Sequence, residues 1–345
     1  MANNDVKIPK FYPDIINHLM ATGTAQNGNF DLMSGTDLIS TLNAGSEAEL
    51  FDMNPLNQVH FETSASSSIR ADHVLLNINT GGDYTIDFVA ILNHNLNSCN
   101  GKFRIAHAAT AGAIDSVTEM EDGTATRVNN VTEVVNGDSI SNNIVIPAEN
   151  GSTIVTFDAN DAQYWGIQFE GNTSFDSSND LKIGCVLLGE SYTLPHAPDI
   201  NVKRTIVYDG VNLQESLGGQ RYTVSTQTGK QFVNSNSKSP FVRAANQARV
   251  YNGRLGYEFS ASYLNSSDVM PPDYSQVVAN ETTDSVVADL YNRTLGNRIP
   301  FCFTTDSTST SEADYMFARF VENSIEMTQV AYTMYNVSFK IEEEY

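Results

Sequence analysis

Residues Asp87–Ile105 read DFVAILNHNLNSCNGKFRI. The run Phe88–Leu92 is apolar at every position, as expected of a strand buried between two layers. From Lys102 to Ile105 polar and apolar residues alternate, the pattern of a strand with one face covered. Between them stand Asn93, Asn95, Asn97 and Asn100, with His94 and Cys99 among them. Histidine and cysteine are metal-ligand types. Asparagine also satisfies loop backbone through Asx turns and tolerates left-handed φ. The stretch reads as strand, connector, strand, and the connector is either a site or a plain loop.

The same pattern extends in both directions. His73–Ile78 (HVLLNI) is a strand, and Asn79–Asp83 (NTGGD) is a tight turn, because two glycines accept positive φ. Further strands fall in residues 102–110 (KFRIAHAAT), around Asn136–Asp138 (NGD), twice in 152–171 (STIVTFDANDAQYWGIQFEG) and in 181–191 (LKIGCVLLGES). That makes about eight strands between residues 50 and 190, the spacing of a sandwich or jelly roll. Residues 191–200 (SYTLPHAPDI) carry two prolines and no periodicity, and place a boundary near 192–200.

The second half opens with VKRTIVYD and QRYTVSTQ. RLGYEFSASYL then puts Leu255, Tyr257, Phe259 and Ala261 on one face. The clearest helix follows near 284–295, with Val286, Val287, Leu290, Tyr291 and Leu295 in one stripe, Asp284 or Ser285 at its start and Gly296 at its end. IPFCFTTD and DYMFARFVE are short strands. In the last strand Tyr335, Val337, Phe339 and Ile341 alternate with polar residues. Residues 1–47 look like short helical or irregular pieces, an arm that packs on a neighbour. The fold class is mainly β, in two β-rich domains: a jelly-roll sandwich over 48–194 and a β domain with one helix over 200–345.

With 345 residues, 41% of them hydrophobic, the chain can bury a real core. Its formal net charge is −22. Such a surface repels phosphate, so no sequence-specific nucleic-acid partner is expected. It favours solubility and would keep the wall of a conduit from gripping DNA. No apolar run is long enough to span a bilayer, so no membrane insertion is expected. The start, MANNDVKIPKFYPDIINHL, lacks a signal peptide's apolar core and cleavage site, which points to folding in a cytoplasm. Cys99, Cys185 and Cys302 are far apart and odd in number, against a disulfide framework.

Few residues group in a pattern that carries chemistry. His94 and Cys99 have no second pair of ligand types nearby, and no HExxH, GxSxG or GxGxxG pattern occurs. TQTGKQ (226–231) resembles the tail of a phosphate loop, but Val224 and Gln231 replace the required glycine and hydroxyl residue. Cys185 and Cys302 sit in apolar strands without an activating cation and read as buried hydrophobes. Trp165 alternates within a strand and reads as core more readily than as a sugar platform. His60, His107 and His196 lack partners by spacing. No catalytic residue, metal site or cofactor is expected. DANDAQ (158–163) and NTSFDSSND (172–180) carry oxygen ligands that could hold Ca²⁺, without EF-hand spacing.

Asn93-His94-Asn95-Leu96, Tyr164-Trp165-Gly166-Ile167 and Leu188-Gly189-Glu190 together resemble the "GHNL", "YWRI" and "GE" motifs of the galactose-binding-like (discoidin-like) β-sandwich found in phage structural proteins. Asn93 departs from the usual glycine. In the second half, GYEFSASYL, then VVADLYNRTLG, then Ile299-Pro300-Phe301 resembles the module that follows that sandwich in distal-tail and other tail-tip or baseplate proteins of tailed phages. The resemblance implies a non-enzymatic virion protein, assembled in the host cytoplasm into a homo-oligomeric ring beside tube, hub and fibre proteins. Its alternatives are a carbohydrate-binding adhesin that meets a host glycan through His94, Asn95 and Trp165, or a head decoration or fibre protein.

Overall fold

Alternation of side chains decides how the sheets stack. The computed structural model describes residues 7–25, 29–65, 67–137, 139–141, 143–208, 211–225, 240–241, 253–270 and 285–344. TQTGKQ lies outside them. The chain is mainly β, as expected. A nine-stranded antiparallel sheet is centred on Val74–His94 and Gly151–Gly171, flanked by Cys185–Gly189 on one side and Gly101–Ala108 on the other. A three-stranded sheet of Leu42–Ala44, Val59–Phe61 and Leu181–Ile183 faces it. Between them lie Val59, Phe61, Val89, Ile91, Phe103, Ile105, Trp165, Ile167 and Phe169, all fully buried.

The doubly apolar run has two buried faces. Val89 and Ile91 point into the sandwich core. Phe88, Ala90 and Leu92 point the other way, into a second cluster with Cys185, Leu187 and Ile154. The far wall of that cluster is Tyr12, Cys302, Tyr315 and Phe317 of an eight-stranded sheet. On its other face Phe11, Phe259, Phe301, Phe303, Phe320 and Phe339 build a third core, with Phe11 5.0 Å from Phe303 and 5.9 Å from Phe339 between ring centroids. Helix Val286–Thr294 closes that core with Val287 and Leu290, and Tyr291 stacks on Phe320 at 4.3 Å. The left-handed Leu295 and Gly296 (φ 51° and 67°) end it, with the Gly296 N–H donating to the Tyr291 carbonyl.

Two expectations need correcting. The NTGGD segment does not reverse the chain: Val74–His94 is one strand of 21 residues and Gly151–Gly171 another, paired along their length through register shifts. Gly81 is left-handed (φ 76°), but Thr80 Oγ1 donates to the Gly82 and Gln163 carbonyls and ties the irregularity to the partner strand. The glycines therefore serve a bulge inside a ladder. The described part of residues 1–47 is also not a free arm. Lys10–Pro13 is an inner strand of the eight-stranded sheet, paired with Phe301–Thr304 and Tyr192–Thr193. The following helix, Ile15–Thr22, is capped by the Asp14 carboxylate and buries Ile15, Ile16 and Leu19 in the sandwich core.

Candidate functional site

The asparagine-rich connector is a set of staples. Asn93 and Asn100 are left-handed (φ 52° and 57°), a conformation asparagine tolerates better than most residues. Asn93 Nδ2 donates to the Pro55 carbonyl at 2.7 Å. Asn95 clamps the edge of the three-stranded sheet, donating to the Asp180 carbonyl and accepting from the Lys182 N–H, both at 2.7 Å. Asn97 and Asn100 donate to the Ala148 and Ser174 carbonyls. His94 is fully buried. Its Nδ1 accepts the Leu96 N–H at 3.2 Å, so Nε2 carries the proton and donates to Thr153 Oγ1 at 2.8 Å. Burial pushes its pKa down to about 3, and the ring is neutral at pH 7.

Trp165 is likewise fully buried, its Nε1 donating to the Ala162 carbonyl at 3.0 Å and its ring packed near His107 and Phe157. His94, Asn95 and Trp165 therefore offer a sugar no surface as folded. As folded, these three residues, expected to meet a glycan, are spent on core packing and on holding loops. All three cysteines are buried and unpaired. Burial raises the pKa of all three thiols, that of Cys99 to about 12. In the DANDAQ and NTSFDSSND loops, Asp158 accepts from Asn130, Asp161 from Thr85, and Asp176 from Ser178 and Asn179.

Charged side chains do converge elsewhere, on the sandwich face turned away from the main core. Lys102 and Arg104 lie opposite Glu170 and Gln168 in the strand register. His73 precedes the long strand, and Glu121 comes from helix Val117–Asp122. That helix is capped by Ser116 and ends at left-handed Gly123. It lies close on the sheet because Gly166 leaves room for Met120: a Cβ there would sit 2.8 Å from the Met120 sulfur. Arg104 Nη2 donates to Glu170 Oε1 at 2.5 Å and stands 3.4 Å from Glu121 Oε1. His73 Nε2 lies 3.2 Å from Glu170 Oε2 and 3.4 Å from Glu121 Oε1. Lys102 Nζ is 3.7 Å from Glu170, and Gln168 Nε2 donates to Glu121 at 3.1 Å.

Burial alone would raise the Glu170 pKa. Hydrogen bonds from His73 and Arg104, with the charges of Arg104 and Lys102, outweigh it and hold the carboxyl at about 2. Glu170 is a fixed anion at neutral pH and cannot serve as a general acid. His73, Glu121 and Glu170 bring three ligand-type atoms within 4.8 Å of one another. Arg104 and Lys102 already neutralise the two carboxylates, so the cluster fits an ion-pair network better than a metal centre. The alternation of Lys102 and Arg104 with Phe103 and Ile105 marked these residues as facing away from the core. Their register against Glu170, and the helix that delivers Glu121, had no signal in the sequence.

No protein-family model and no curated protein matches the chain. Solved structures do. A chitosan-binding module of a Paenibacillus sp. IK-5 chitosanase/glucanase aligns at 14% identity and TM-score 0.31, over 47% of this chain and 93% of that one. A CBM32 module of a Clostridium perfringens family 31 glycoside hydrolase aligns at 12% and 0.30, over 47% and 94%. A further Clostridium perfringens CBM32 module, in complex with GalNAc-β-1,3-galactose, aligns at 9% and 0.29, over 47% and 96%. Likeness at these scores carries no functional argument.

Proposed function

We propose that this chain is a non-enzymatic protein that works by docking, with the C-terminal sheet as the surface that meets partners in an assembly. The observation that carries this is where apolar surface stays open. Among the described residues every exposed large apolar side chain lies from Ile200 onward; of these, Ile206, Val207, Tyr263 and Val330 are on strands of the eight-stranded sheet, Tyr332 is in a turn beside it, and Leu213 is on a separate two-stranded sheet. The described residues of the sandwich half expose none. Exposed apolar groups gathered on one part of a soluble protein mark contact with other proteins. A tail-tip or baseplate component of a phage virion is the specific form of this reading, and the motif resemblance supports it. Light scattering on the isolated chain and immunogold labelling of purified particles test it. A monomer at all concentrations, absent from particles, refutes it.

Glycan recognition by the sandwich is the second reading. The polar cluster favours it, since Glu121 is 40% exposed beside a buried guanidinium and carboxylate that could bond sugar hydroxyls. The described sandwich residues offer no exposed aromatic platform for a sugar ring. Glycan-array binding that is lost in Glu121→Ala would favour this reading over docking, and flat curves would dispose of it.

A further inference from the structure

Two strands in the C-terminal sheet have an edge with no partner among the described residues. Lys203–Tyr208 pairs only with Gly253–Asn265, and Met327–Ala331 pairs only with Met334–Glu343. Gly253–Asn265 and Met334–Glu343 pair with each other. The two open edges therefore flank one strand pair on opposite sides. Both carry apolar groups in water: Ile206 and Val207 are 46% and 51% exposed, Val330 is 44% exposed, and Tyr332 in the turn that follows is 91% exposed. Open, apolar edges are the parts of a sheet that recruit another strand.

Their charges differ in sign. Lys203 and Arg204 lie on the first edge, with Lys203 3.1 Å from Glu258 of the neighbouring strand, and Glu326 and Glu322, the latter 3.5 Å from Lys340, flank the second. The contrast extends along the chain. Residues 200–258 hold eight Lys and Arg against Asp209, Glu215 and Glu258, a formal +5. The whole chain is −22, so the remainder carries −27. A basic edge on so acidic a protein finds its complement on another copy of the same protein.

We infer that the Lys203–Tyr208 edge of one copy docks on the Met327–Ala331 edge of the next, continuing the sheet from copy to copy. This rests on the docking function proposed above. The contact is heterologous, so it closes into a ring or runs on as a filament according to its rotation. Salt weakens it, because opposite charges steer the two edges together.

Two charge-reversed variants of the full chain test this. Lys203→Glu with Arg204→Glu makes the first edge acidic, and Glu326→Lys with Gln329→Lys makes the second basic. All four positions are exposed, and circular dichroism checks that each variant folds as the parent does. Sedimentation velocity at low salt is expected to show each variant alone associating at least about tenfold more weakly than the parent. An equimolar mixture is expected to recover the association, since every edge then meets its opposite. Parent chains that associate while both variants associate equally well overturn the edge pairing and leave docking intact. A parent that is monomeric throughout overturns both. A parent that stays monomeric but binds a single-stranded oligonucleotide, with binding lost in Lys203→Glu/Arg204→Glu, overturns the pairing in favour of phosphate.

Discussion

Glu170→Gln is the most informative single change in the sandwich. Glu170 and Arg104 are both about nine-tenths buried and 2.5 Å apart, with His73 and Lys102 adding to the same carboxylate. An amide keeps the shape and removes the charge, leaving the Arg104 guanidinium buried with only Glu121 to balance it. Breaking a buried pair from one side costs about 3–5 kcal/mol. Glu121, 3.4 Å from Arg104, remains to compensate in part, so the lower end, about 3 kcal/mol, is expected. That is roughly a hundredfold in the unfolding constant. Trp165 is the chain's only tryptophan and lies in the sandwich core, so its fluorescence during urea unfolding reports the loss directly. The double variant Arg104→Met/Glu170→Leu should recover most of it, because apolar groups of similar size replace a buried pair at little cost. Single-variant losses that simply add in the double variant would refute the ion-pair reasoning. Acid gives a second view. A carboxyl held at about 2 when folded contributes stability above its unfolded value, and that stability is lost as pH falls towards 2.

Glu190 should behave in the opposite sense: burial raises its pKa to about 7, so the folded state keeps a proton that the unfolded state releases. Stability then falls as pH rises from about 4.5 to 7, and Glu190→Gln should stabilise the protein at pH 8 by up to about 3 kcal/mol while changing little at pH 4, as read by unfolding midpoints at both pH values. Asn93→Gly keeps the left-handed backbone and loses the bond to Pro55, for about 1 kcal/mol, whereas Asn93→Ala also adds strain and should cost about 2 kcal/mol; equal losses would show that conformation is not what asparagine supplies. Tyr263 is left-handed (φ 61°) and 70% exposed, so Tyr263→Asn should stabilise the isolated chain by up to about 1 kcal/mol, and a loss instead would mean the ring supports the fold.

Periodicity made much of this molecule legible. The alternation in Met334–Glu343 and Gly253–Asn265, the stripe of the Val286–Thr294 helix and the doubly apolar Phe88–Leu92 all report local burial, and each lies where its pattern places it. Features that depend on distant pairing were hidden. KFYP is four residues long and becomes a strand only because Phe301–Thr304 lies beside it. NTGGD has the composition of a hairpin turn, and only the partner strand, through Gln163 and Thr80, makes it a bulge. The charged cluster draws on four stretches separated by up to 97 residues, and spacing alone could not join them. His94 and Trp165 are site-type residues, and their full burial, which no local pattern records, removes them from the surface.

Assembly through the open edges is tested most directly by hydrogen–deuterium exchange of the parent chain across protein concentrations at low salt. Docking predicts slower amide exchange in Lys203–Tyr208 and Met327–Ala331 as concentration rises, together, and with the sandwich strands unchanged. Exchange in those two strands that is the same at every concentration, while the sandwich changes or nothing does, would contradict it.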